Sequence, residues 1–218
     1  MHWSPAPVLA LVALVASSAC GTGSPRAAWP APSVVATAPA QVSASPTVLS
    51  PASGTATFTL SSPAVTDGRL LPEFRCEPRL NGVEASIPLA WSGVPAATGS
   101  LAVVMRHYPV PGDTSHVSSY LLLWGIDPAV TGIAHGAADD GDWFLGPNKD
   151  GVDISYTSPC SHGSGTHEYT ITLYALSETP PCLPRHSSLE VTYSVLTTAI
   201  STVDVLGTAT LTFTDTTP

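Results

Sequence analysis

Positive charge is scarce in this chain. One lysine, Lys149, and six scattered arginines stand against 16 acidic residues, for a formal charge of −9 over 218 residues. Neutralising a phosphate backbone needs a basic stripe, and none is present, which argues against nucleic acid as a partner. Charged residues of either sign make up only 11% of the chain. Helical periodicity is nearly missing as well, with one candidate near the end. What the chain has in quantity is threonine, valine, alanine, 22 prolines and 17 glycines. That mixture suits a mainly β domain joined by turns better than a helical bundle.

Long apolar runs are also few. The run APVLALVALVA, Ala6 to Ala16, is too short to cross a hydrocarbon layer of about 30 Å and is followed by the small residues Ser17, Ser18 and Ala19. Residues 1–20 read as a secretory signal. Cys20 stands directly after those small residues, the pattern of a bacterial lipid-attachment site, so Cys20 is the expected lipidation position. The alternative is an ordinary cleaved signal and a soluble secreted protein. Residues 21–54 are rich in proline, alanine, serine and threonine with no persistent period, and burial there cannot offset the entropy of ordering. They read as a linker. About thirty such residues at ~3 Å each hold the following domain up to about 100 Å from a membrane.

A folded domain is expected over residues 55–214. TATFTLSS alternates Phe58 and Leu60 on one face, and Ile87, Leu89 and Trp91 share the face of a second strand. LAVVM at Leu101 to Met105 and YLLLWGI at Tyr120 to Ile126 are continuous apolar runs, the signature of strands buried on both faces. Glu168 to Leu176 alternates cleanly, and Val205 to Phe213 closes the domain. The one helix is expected over Ser187 to Ile200, with Ser187 or Ser188 as its N-cap.

Four blocks, FTLSSPAVTDGRLLPEFRC, IPLAWSGVPAATGSLAVVM, YLLLWGIDP and SPCSHGSGTHEYTITLYAL, together resemble the phosphatidylethanolamine-binding protein family, in particular its bacterial Raf-kinase-inhibitor-like branch. They occur in family order across roughly residues 57 to 176. The resemblance implies a large central antiparallel sheet, a smaller second sheet, a few peripheral helices, and a surface pocket that holds phosphate-like anions and phospholipid head groups. It also implies an alternative role, inhibition of kinases or proteases through protein contact.

Carried over residue by residue, that pocket is altered. The family's Asp-Pro-Asp-Ala-Pro aligns with His107, Tyr108, Pro109, Val110 and Pro111, so both aspartates are gone. The pocket histidine of the next strand aligns with Tyr120, unless His116 takes its place. The glycine-rich third block becomes Thr157, Ser158, Pro159, Cys160, and the family's His-Arg-Tyr becomes His167, Glu168, Tyr169. The ligand-binding set expected is therefore His107, Pro111, Tyr120, Ser158, Pro159, His167 and Tyr169. If the lost aspartates and arginine were partners, their paired loss predicts His107 beside Glu168. The cations available to an anion are then His107, His116, His162 and His167, each charged only near or below pH ~6.5.

Other chemistries lack their patterns. His162 and His167 have no standard zinc spacing, and no metal or other cofactor is expected. Ser164 sits in no nucleophile elbow, and no catalytic residues are expected. Asp139, Asp140 and Asp142 lack the spaced donors of a calcium loop and read as a solvated turn. After Cys20, the cysteines Cys76, Cys160 and Cys182 allow one disulfide in any of three pairings. The expectation is a non-enzymatic binding protein, exported and membrane-anchored through its N-terminal lipid, with a degenerate small-ligand pocket; the alternative is a protein-interaction module.

Overall fold

The computed structural model describes residues 57–75, 84–110, 112–160 and 163–217. The signal, the linker, Cys20, Cys76, Pro111 and His162 lie outside the described residues.

Among the described residues ten strands run in chain order: β1 Thr59–Ser61, β2 Val65–Thr66, β3 Arg69–Leu70, β4 Leu89–Ser92, β5 Ser100–His107, β6 Ser118–Ile126, β7 Gly132–Ile133, β8 Phe144–Leu145, β9 Gly165–Leu176 and β10 Val205–Thr217. The 3-10 turn Pro72–Phe74 follows β3, and the helix α1 Tyr193–Ile200 precedes β10. Seven strands form a large sheet in the order β2-β3-β10-β9-β5-β6-β8, and three form a small sheet, β1-β4-β7. All pairings are antiparallel except β3 with β10. The fold is thus mainly β with two sheets, as the sequence indicates.

The apolar runs β5 and β6 are the centre of the large sheet because both of their faces are covered. On one face Leu101, Val103, Met105, Leu121 and Leu123 pack with Leu60, Leu89 and Trp91 of the small sheet. On the other, Ala102, Val104, Leu122 and Trp124 pack with Leu196, Ala199 and Ile200 of α1. Strand alternation divides one run between two cores. Each large side chain so buried contributes about 1.5–3 kcal/mol relative to leaving it exposed. The buried indoles keep their N–H groups bonded: Trp91 Nε1 donates to the Val130 carbonyl at 2.7 Å and Trp124 Nε1 to the Pro184 carbonyl at 3.0 Å.

The helix is shorter than the sequence pattern suggests, beginning at Tyr193 with Thr192 as its N-cap. Ser187 and Ser188 do not cap it. The Ser187 hydroxyl accepts from Leu145 N, Ser188 N donates to the Leu145 carbonyl, and the Ser188 hydroxyl accepts from Glu190 N. These bonds hold residues 187–190 against β8 as a turn, so the backbone is unavailable for helix until Thr192.

Candidate functional site

At one end of the large sheet, strands β5, β6, β9 and β10 place aromatic and imidazole side chains on the face that packs toward the small sheet. His107, the last residue of β5, pairs in register with Tyr169, and Tyr169 pairs with Phe213. Direct cross-strand partners share a face. The rings follow that register: His107 stacks on Tyr169 with centroids 5.0 Å apart, and Tyr169 stacks on Phe213 at 5.5 Å. Tyr120 meets Tyr169 edge-on at 5.2 Å and His107 at 6.4 Å. His167, two residues before Tyr169 and so on the same face, sets its ring edge-on to His107 at 5.5 Å.

Four of the expected ligand-binding residues are therefore brought together from three strands: His107, Tyr120, His167 and Tyr169. They are not equivalent. Tyr120 and Tyr169 are wholly buried and His107 nearly so, while His167 is half-buried. The tyrosines make a packed floor and the histidines its rim. His107 and His167 open into a cavity of about 500 Å³ whose other walls include Arg106, Tyr108, Glu168 and Thr170. The turn that delivers His167 depends on two glycines with left-handed backbone, Gly163 at φ 103° and Gly165 at φ 124°, a region that side chains make costly. His167 Nε2 lies 3.2 Å from the Gly163 carbonyl and donates to it, which orients the ring across its own turn.

Ser158 and Pro159 stand elsewhere. Both are buried, and neither lines that cavity. The Ser158 amide and hydroxyl both donate to one Glu84 carboxylate oxygen, at 2.5 and 2.6 Å. Their neighbour Thr157 donates its amide to the Tyr120 carbonyl at 2.9 Å, so the loop braces the floor from behind. His116 is exposed and bound through Nδ1 to the Asp113 carboxylate at 2.9 Å, away from the His107 cluster. It does not replace the missing pocket histidine. The Ser115 and His116 bonds hold the Asp113 carboxyl below its ordinary pKa.

The expected pairing of His107 with the Glu168 side chain is corrected by the sheet. Adjacent residues on a strand point to opposite faces. Tyr169 shares the His107 face, so the Glu168 carboxylate leaves on the other, beside Arg106. What His107 meets is the Glu168 main chain: Nδ1 donates to that carbonyl at 2.8 Å. Burial pushes the His107 pKa down, the carbonyl bond pushes it up, and the nearby charges of His167 and Lys149 lower it further; the net shift is downward.

Several charged groups at this end were not singled out by sequence reasoning. Arg106 lines the cavity and lays its guanidinium 4.5 Å from the Tyr108 ring centroid. Lys149 sets its ammonium 5.8 Å from the Tyr120 ring centroid. Asp215 is buried, pairs in register with His167, and forms an ion pair with Arg75. The reading of histidines as the cations here is therefore incomplete. Only Asp215 left a visible trace, as the next same-face residue after Phe213 in an alternating strand. The acid-rich turn is also not simply solvated: Asp139 is partly buried and accepts from Tyr156 N at 2.9 Å, and burial raises its pKa. Among the described residues no group of three or more His, Cys, Asp or Glu is placed to hold a metal ion.

Comparison with known proteins agrees with this architecture. The family model described as phosphatidylethanolamine-binding protein matches residues 61–214, which carry both sheets and the rim. The chain belongs to the phosphatidylethanolamine-binding protein family. A UPF0098 protein of Mycobacterium tuberculosis is 36% identical over 126 residues, covering 57% of this chain and 56% of the relative, so the match spans little more than half of that protein. A second M. tuberculosis protein, LppC, whose name marks it as a candidate lipoprotein, is 29% identical over 216 residues, 95% of this chain and 96% of its own. A crystal structure of a family homologue from Chlamydia trachomatis superposes with a TM-score of 0.60 at 26% identity, covering 74% of this chain and 98% of that one.

Proposed function

We propose that this is a non-enzymatic binding protein, exported and held at the outer side of the cell membrane by lipid on Cys20, whose rim takes a small anionic ligand of the phospholipid head-group kind. The observation that carries the reading is the joint placement of His107 and His167. Two imidazoles from different strands, 5.5 Å apart on an aromatic floor, open into one cavity of about 500 Å³. A volume of this order fits a small molecule. His167 and His107, each with one ring N–H bonded to a main-chain carbonyl, donate the second N–H to an oxyanion when protonated, while Arg106 and Glu168 line the same cavity.

The lipid anchor rests on the position of Cys20 after its small residues and on the likeness to LppC along nearly the whole chain. A disulfide between Cys76 and Cys160 belongs to the same reading of an exported protein, since Cys182 is a free thiol.

One observation favours a second reading, a protein-interaction module. The complete burial of Tyr120 and Tyr169 removes two expected ligand contacts from the cavity surface. Mass spectrometry of the chain purified from its native envelope separates the two. The binding reading expects diacylglyceryl-modified Cys20 with a co-purifying phosphate-bearing small molecule, and calorimetric titration with phosphoethanolamine should give a saturable signal. A stoichiometric protein partner with no small molecule and no titration signal supports the second reading.

A further inference from the structure

His107 is poorly suited to be the site's permanent cation. Its Nδ1–H is committed to the Glu168 carbonyl, so the neutral ring turns the lone pair of Nε2, not a proton, toward any ligand. Yet the lone lysine of the chain has been brought to the same ring system. The Lys149 ammonium and the His107 ring both converge on Tyr120, at 5.8 and 6.4 Å from its centroid.

The backbone around Lys149 is tightly braced. Asn148 is buried; its amide donates to the Asp153 carbonyl at 2.7 Å, and its side-chain oxygen accepts from Val152 N and Asp153 N. Gly151 N closes the turn on the Asn148 carbonyl at 3.0 Å. Lys149 N itself donates to the Thr157 hydroxyl at 3.1 Å, and Thr157 N is bonded to the Tyr120 carbonyl. Thr157 therefore couples the lysine turn to the strand that carries the floor. The Thr157 side chain thus anchors the backbone that carries a cation.

Lys149 also lines a second cavity of about 500 Å³, with Ser118, Ser119 and Ser194 among its walls, and Pro109 lines this cavity and the His167 cavity alike. Hydroxyls and an ammonium around one space form a donor set, and a lysine is an effective point charge for phosphate.

We propose that Lys149 is the fixed positive charge of the binding site, taking the phosphate-type group of the ligand in the cavity that adjoins the His167 cavity at Pro109. This rests on the binding reading above and adds the residue that sets its charge at neutral pH. The charged and titratable groups around it are Asp150 and Asp153 on its own turn, the Asp113–His116 pair on the loop before β6, Tyr193 at the start of α1, Glu84 on Ser158, and His107 at the end of β5. Of these, His107 has its pKa pushed below the ordinary histidine value, first by burial.

The test is calorimetric titration of the full chain with phosphoethanolamine and with inorganic phosphate, at pH 7.5 and 5.5, for the native protein, Lys149→Gln and Lys149→Arg. Lys149→Gln should weaken both probes at least about tenfold at pH 7.5 and less at pH 5.5, where acid favours protonated imidazole. Lys149→Arg should recover most of the loss, which a simple folding defect would not allow. Native protein that binds while Lys149→Gln binds equally at pH 7.5 overturns the lysine assignment and leaves the binding reading standing. Native protein that takes neither probe at either pH overturns both.

Discussion

His107 and Glu168 are joined through the main chain and parted through their side chains: the imidazole donates to the Glu168 carbonyl at 2.8 Å, while the carboxylate stands on the opposite face of the sheet. Charge compensation between the two side chains is thereby removed as an explanation for the altered motif, and His107 titrates under the influence of burial, His167 and Lys149 instead. Its folded pKa lies below the ordinary histidine value near 6.5. The unfolded chain then binds the proton more readily, so this group costs stability as pH falls through about 6.5 and has no effect well above it. NMR titration of the imidazole resonances should show His107 protonating below the ordinary histidine value. Replacing His107 with Asn should flatten the loss of stability between pH 7 and 5.

Anion binding has the opposite dependence on acid. An anion favours protonated imidazole, so affinity for phosphoethanolamine should rise as pH falls from 7.5 to 5.5, by up to about tenfold per pH unit for each histidine that gains a proton on binding. Calorimetry at the two pH values checks this. Equal affinity would mean that neither histidine contacts the anion.

His167→Ala separates site from scaffold. The ring is half-buried at the cavity edge and its bond is local, so stability should change by no more than about 0.5 kcal/mol while ligand affinity falls. Tyr169→Ala should do the reverse in kind: it removes a wholly buried ring packed between His107 and Phe213 and should cost about 3–5 kcal/mol in denaturant unfolding. A His167 variant as unstable as the Tyr169 variant would place that histidine in the scaffold rather than in the site.

Ser158→Ala tests the role of the third block. The hydroxyl and amide of Ser158 share one Glu84 oxygen, and deleting the hydroxyl leaves a part-buried carboxylate with one donor fewer. The expected loss is about 1–3 kcal/mol. Ligand affinity should be nearly unchanged, because Ser158 does not line the cavity at His167. A large fall in affinity with stability intact would return Ser158 to the ligand-binding set.

Local pattern carried a good part of the fold. The runs within β5 and β6 are legible because a strand covered on both faces is apolar at every position, and β9 is legible because its alternation is clean. Strands of two residues, such as β7 and β8, have no period to detect. The helix start failed for a different reason: Ser187 and Ser188 have cap chemistry, but a partner 42 residues away in sequence, Leu145, takes the Ser187 hydroxyl. The site shows the same division. His107, Tyr120, His167 and Tyr169 lie on strands whose register a motif preserves. The bonds that complete the site link residues far apart in sequence, Glu84 with Ser158 across 74 positions and Arg75 with the Thr216 carbonyl across 141, and no local spacing encodes them.

The proposed export of the chain predicts a defined thiol pattern. Cys182 is free and exposed, and a native-state alkylating reagent should modify it without denaturant. Non-reducing peptide mapping should then yield Cys76 linked to Cys160. A Cys160–Cys182 peptide, or full alkylation of all three cysteines in the native protein, would overturn the pairing.

Asp139 gives the last prediction, with a pH dependence opposite in sign to that of His107. Its carboxyl is partly buried: one oxygen accepts from Tyr156 N, the other has no hydrogen-bond partner, and burial raises the pKa above that of an exposed aspartate. A raised folded pKa means that the native state holds the proton more tightly than the unfolded chain. The contribution to stability is fully present below the unfolded value near 3.9 and is lost as pH rises through the folded value. At pH 7 the ionised carboxylate is a burden that the Tyr156 amide only partly offsets. Asp139→Asn keeps an oxygen to accept from that amide and removes the charge, so it should match or exceed the native stability at pH 7. Near pH 3 the native carboxyl is itself neutral, and the advantage should shrink. Urea unfolding of both proteins at the two pH values measures the difference, and an Asn variant less stable at pH 7 than at pH 3, relative to native, would show that the charge of Asp139 is favourable where it sits.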